Sequence, residues 1–106
     1  MAIVKLFADV LEEFHQSKKT GAMFVEIAGK SENLIRFYFK DGNLCNLSFG
    51  PIKDRECIDI LDCYDFQKVV LFDGMKSPTV CDNLPPVKDI IDKMRSCGKK
   101  VEIAIR

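Results

Sequence analysis

The sequence predicts an α+β fold with a mainly antiparallel sheet of about four or five strands and about three amphipathic helices. Three observations carry that expectation. Lys40-Asp41-Gly42-Asn43 is a tight-turn tetrapeptide between two stretches of alternating apolar residues, because Asp-Gly supplies the positive dihedrals that a short hairpin needs. Three other stretches repeat apolar residues at three- and four-residue steps, the mark of helices that bury one side. Those helices fall at the two ends and in the middle of the strands, and no repeat or low-complexity tract interrupts the order.

The first helix is expected from the stripe Ile3, Leu6, Phe7, Val10, Leu11 and Phe14, ending near Lys18 or Lys19, with Gly21 in the left-handed conformation that closes it. Met23, Val25 and Ile27 alternate as a strand, and a polar turn at residues 29–33 follows. Ile35, Phe37 and Phe39 then share one face of the next strand, with Leu34, Arg36 and Tyr38 on the other. After the Asp41-Gly42 turn, Cys45, Leu47 and Phe49 resume the alternation.

Pro51 is placed at or near the first position of a second helix, whose inward stripe is Cys57, Ile58, Ile60, Leu61 and Tyr64. Phe66, Lys68, Val70 and Phe72 alternate with Val69 and Leu71 in a strand that Asp73-Gly74 ends. Residues 75–84 form a linker. Pro85-Pro86 opens a third helix with Val87, Ile90, Ile91, Met94 and Cys97 on one side and Gly98 at its stop, and the final VEIAIR is a candidate short strand.

With 106 residues and 47% hydrophobic content, the chain suits one domain spanning 1–106 with a single core. Sixteen basic and sixteen acidic residues cancel, so no global field gathers nucleic acid. No apolar run approaches the roughly 18 residues of a membrane span, and the N-terminal stretch lacks secretory features, so a cytoplasmic location is expected. Cys45, Cys57, Cys63, Cys81 and Cys97 are odd in number and contain no CxxC pair, which makes free thiols the default and neither a disulfide framework nor a zinc site expected. Without secretion, Asn46-Leu47-Ser48 carries no weight as a glycosylation acceptor.

Motifs that tempt toward chemistry each fail a contextual requirement. Gly29-Lys30-Ser31 resembles the end of a phosphate loop, but Phe24 stands where that motif needs glycine, and a strand rather than a helix is expected to follow. His15, the only histidine, lies at the border of the first helix with no motif-defined partner. Asp59, Asp62 and Asp65 could gather on one helical side, yet the ligand order of a calcium loop is missing. Cys63 borders that acidic side, where negative charge disfavours its thiolate. Ser96-Cys97-Gly98-Lys99 has SxxK spacing without the companion motifs. No catalytic residue, metal or cofactor is therefore assigned.

Charge is nonetheless uneven. Residues 53–65 hold two basic and five acidic residues, whereas residues 93–106 hold five basic and one acidic. These segments either face each other or water, or mark a surface for a partner or a second copy. The residues of that candidate surface are Asp59, Asp62, Asp65, Lys93, Arg95, Lys99 and Lys100.

The ordered succession of a helix ending in Lys18-Lys19-Thr20-Gly21, the strand AMFVEI, FYFKDGNL and ECIDILDCYDFQKVVLF resembles the PATAN-type domains of bacterial signalling proteins over about residues 7–74. Between the hairpin and the second helix the chain departs from that pattern, with Asn46, Ser48 and Gly50-Pro51-Ile52 in place of alanine and a further glycine. The resemblance implies a non-enzymatic regulatory module that contacts other signalling proteins. Gly21, Asp41 and Gly42 match motif positions whose work is backbone geometry, as does the work of Asp73 and Gly74 in their own turn.

Two other classes compete. One is a small-ligand sensor or thiol-dependent enzyme built on Phe37, Tyr38 and Phe39 with Cys45 or Cys63. The other is a roadblock-like or longin-like regulator of a nucleotide hydrolase, which sheet order would distinguish. Strand edges and the opposed charges also suggest a homodimer.

Overall fold

The computed structural model of the chain describes residues 3–27, 30–77, 80, 81 and 84–105. Seven strands form one sheet: β1 (Ile3–Leu6), β2 (Gly21–Ile27), β3 (Lys30–Lys40), β4 (Asn43–Phe49), β5 (Ile52–Lys53), β6 (Phe66–Asp73) and β7 (Lys100–Ile105), in the order β1-β7-β6-β2-β3-β4-β5. All neighbours are antiparallel except β6 and β7, which α3 (Val87–Cys97) connects as a parallel pair. The remaining helices are α1 (Phe7–Gln16) and α2 (Asp54–Ile60), the latter extended by a 3-10 turn at Leu61–Cys63. The α+β class is thus as expected, with more strands than the four or five anticipated.

Alternation decides which side of the sheet the helices cover. Met23, Val25, Ile35, Phe37, Phe39, Leu47, Phe49 and Val69 join Phe7, Leu11 and Phe14 of α1, Cys57 of α2, Leu61, and Ile90 and Met94 of α3 in one buried cluster. Edge-to-face ring contacts tie the layers: Phe7 to Phe37 at 5.3 Å and to Phe66 at 5.1 Å, and Phe14 to Phe39 at 5.2 Å. Ala22 is equally buried but lies outside this cluster, on the side that carries no helix.

Several sequence expectations need correction. Ile3 and Leu6 do not begin the first helix; they belong to β1, an edge strand on β7, and Ile3 is 57% exposed. Helical spacing of these two residues with Phe7 and Val10 disguised a strand that exists only through pairing with the far end of the chain. Gly21 does not close α1 but opens β2, paired with Phe39 and Asp73. Lys18 takes the left-handed position instead, at φ 51°, and the Lys19 N–H donates to the Phe14 carbonyl at 3.1 Å. Pro51 is not at a helix start. It lies in the turn between β4 and β5, and α2 begins at Asp54.

A bulge corrects the reading of β4. Phe39 pairs with Leu44 and Tyr38 with Asn46, so Cys45 is the extra residue and Leu44 faces the core in its place. A second bulge leaves Gln67 unpaired between Phe66 and Lys68, which allows both Phe66 and Val69 to face the helices. Cys97, expected among the inward residues of α3, is exposed.

The turns behave as their residues require. Asp41 and Gly42 have φ 52° and 83° in a two-residue hairpin, and β6 stops at Asp73 before Gly74 at φ 79°. Gly98 caps α3 at φ 64°. The polar turn expected at residues 29–33 is not found over residues 30–33, which open β3, while Gly29 lies outside the described residues.

Candidate functional site: the uncovered side of the sheet

With all three helices on one side, the other side of the sheet is built from the alternate residues of β7, β6, β2, β3 and β4. Register arranges them in rows. Glu102, Lys68, Glu26 and Leu34 form one row; Ala104, Val70, Phe24, Arg36 and Ser48 the next; Phe72, Ala22, Tyr38 and Asn46 the third. Phe24 is the hub, 4.9 Å from Phe72 and 6.0 Å from Tyr38 between ring centres, with the Arg36 guanidinium 5.6 Å above its ring. The aromatics Phe37, Tyr38 and Phe39 are therefore not one cluster: Phe37 and Phe39 are core, and Tyr38 belongs to this outer side.

The segment after β6 borders this surface at β4. The Asn46 Nδ2 donates to the Val80 carbonyl at 3.3 Å, Ser77 Oγ bonds the Asn46 side-chain oxygen, and Cys45 and Cys81 are joined by a disulfide. The expectation that all five cysteines are free is thus wrong for this pair. The bulge turns Cys45 out of the core alternation, and a chain segment remote in sequence brings Cys81 to it. Residues 78, 79, 82 and 83 of the same segment lie outside the described residues. Beside the disulfide is an open cavity of about 510 Å³ reached by Thr20, Lys40, Asp41, Lys76 and Ser77.

Three thiols remain. Cys57 is fully buried, and burial, reinforced by the Asp54 charge, pushes its pKa up to about 11. Cys63 and Cys97 are exposed, and Cys63 Sγ lies 3.9 Å from the Asp62 carboxylate. In native, oxidised protein, a thiol reagent at pH 8 is expected to modify Cys63 and Cys97 quickly, to reach Cys81 after reduction, and to reach Cys57 only on unfolding. Mass mapping of the modified peptides checks this. The Cys57 thiol also sets a sign for alkaline stability. Its ionised form is disfavoured in the fold, so stability falls once pH exceeds the ordinary thiol value of 9.0 and the unfolded chain starts to lose that proton.

The candidate partner residues at the helical side lie near one another. Lys93 Nζ is 4.0 Å from Asp62, and Lys99 Nζ is 4.0 Å from Asp65 and 5.6 Å from the Phe66 ring centre. Arg95 spans Asp9 at 3.0 Å and Glu12 at 2.7 Å, clasping α3 to α1. The acidic and basic segments therefore face each other across α2, α3 and their flanks. Asp59 and Lys100 are exposed. His15 has a structural partner that its sequence context did not disclose: its Nδ1 donates to the Gly42 carbonyl at 3.0 Å. The Gly42 N–H in turn donates to the Lys19 carbonyl at 2.9 Å, docking the hairpin tip on the end of α1.

Among the described residues, no group of three or more His, Cys, Asp or Glu is placed to hold a metal ion. Among them also, no helix is long and apolar enough to cross a membrane. Comparison of the chain with family models, curated proteins and solved structures finds no match in any of the three.

Proposed function

We propose that this chain is a non-enzymatic regulatory or adaptor module that works by protein contact through the uncovered side of its sheet, in the manner implied by its resemblance to PATAN-type signalling domains. The observation that carries this reading is the Phe24, Tyr38, Phe72 and Val70 surface, contiguous across three strands and rimmed by Arg36, Lys68, Glu26 and Glu102. An apolar centre with a charged rim is the composition of a recognition surface. The order α1, β2, the β3–β4 hairpin, α2 and β6 agrees with the succession on which the resemblance rests. Three free thiols, two of them exposed, favour the reducing cytoplasm, where the Cys45–Cys81 link is then a reversible one.

Phe24→Lys tests the contact surface. Immobilised wild-type protein is expected to retain a defined partner that Phe24→Lys loses and that Arg95→Glu, on the helical side, keeps. Equal retention by both variants, or turnover of a small substrate by the purified chain, would reverse the reading.

A further inference from the structure

We infer that the occupant of this surface is a second copy of the chain, related by a two-fold axis that runs parallel to the strands between β2 and β6. This rests on the reading of the uncovered side as a contact surface, and its argument is charge complementarity.

Such an axis keeps each row in place and exchanges the columns, so that β2 of one copy lies over β6 of the other and β3 over β7. Glu26 and Lys68, Cα partners on β2 and β6, then meet their opposites twice, Glu26 over Lys68 of the second copy and Lys68 over its Glu26. Phe24 comes over Val70, which closes the apolar centre, while Ala22 has no exposed surface and lies beneath its neighbours. In the outer columns Leu34 comes over Glu102 and Arg36 over Ala104, so that Arg36 reaches Glu102 diagonally, two residues along the strand. A two-fold axis across the strands, through the Phe24 row, would instead lay Glu26 over Ala22 and Lys68 over Phe72, setting both charges against apolar groups without a partner. The parallel axis is therefore the one that this surface fits. Among the described residues Glu26, Lys68 and Glu102 take part in no ion pair within the chain, so their charges are available to it. Packing of two twisted sheets at about 30° accommodates the arrangement.

The test uses the full chain and two charge reversals, Glu26→Lys and Lys68→Glu, followed by light scattering behind a sizing column. Wild type is expected to show a dimer mass. Each reversal alone places like charges across the axis at both contacts and weakens the dimer by at least about tenfold. Mixing the two variants restores it, because the lysine introduced at position 26 of one meets the glutamate introduced at position 68 of the other, and the unchanged Lys68 of the first meets the unchanged Glu26 of the second. Within each chain the like-charge neighbours persist on mixing, so recovery reports the contact between copies alone. Circular dichroism confirms that each variant is folded. Should one reversal fail to fold, Arg36→Glu mixed with Glu102→Arg serves as the second pair. A monomeric wild type at every soluble concentration, or a dimer indifferent to the reversals and to mixing, overturns the inference. Either of those results leaves the contact reading to its own test, since a different partner lost on Phe24→Lys would still support it.

Discussion

Phe7→Ala is expected to destabilise the fold by about 3–5 kcal/mol, a large share of the roughly 5–15 kcal/mol that holds a domain together. Phe7 is the first residue of α1 and has no exposed surface, and its ring meets Phe37 of β3 and Phe66 of β6 at their edges. Removing it empties the junction where α1 meets the middle of the sheet, and the Phe7 N–H bond to the Lys99 carbonyl at 2.9 Å keeps the helix start from collapsing into the gap. Phe7→Leu fills most of the volume and is expected to cost less than half as much. Urea unfolding followed by circular dichroism measures both. A loss below about 1 kcal/mol for alanine would mean that the ring is not a keystone of this core.

Gly42→Ala should cost about 2–4 kcal/mol, although it adds a single methyl group. Two causes add. At φ 83° an L side chain is strained, and its Cβ would lie 2.6 Å from the His15 carbonyl oxygen and 2.9 Å from the Lys18 Cα, both backbone atoms that cannot swing away. Gly74→Ala separates the causes, because Gly74 has a similar φ of 79° and nothing within 4 Å of its added Cβ. It should therefore show the dihedral strain alone, about 1–2 kcal/mol. Equal losses at the two sites in thermal unfolding would show that docking of the hairpin on α1 contributes nothing.

The contrast between these glycines shows where sequence reasoning reached and where it stopped. Local patterns were legible: Asp41-Gly42 and Asp73-Gly74 disclosed their turns, Pro85-Pro86 and Gly98 bracketed α3, and the alternation of Ile35, Phe37 and Phe39 against Leu34, Arg36 and Tyr38 is the alternation found. What was hidden depends on contacts between distant residues. β1 is a strand because β7 pairs with it, and Ile3–Leu6 alone fits a helix equally well. Cys45 leaves the core alternation because one bulge shifts the register, and only the folded linker shows that Cys81 is its partner. Glu26, Lys68 and Glu102 lie far apart in the sequence, so their common row appears only once strand order and register are known. The acidic and basic segments were visible as opposites, but their approach at Asp62–Lys93 and Asp65–Lys99 was not.

Pairing of β1 with β7 has a topological corollary. Ile3 and Ile103 are direct antiparallel partners, about 5 Å apart between Cα atoms, so the start of β1 adjoins the far end of β7. A unit with adjoining ends can be spliced into a surface loop of a host protein without prising the host's flanks apart. It can also be opened at a hairpin tip and rejoined across its ends by a short peptide, which makes circular permutation a natural route for engineering it.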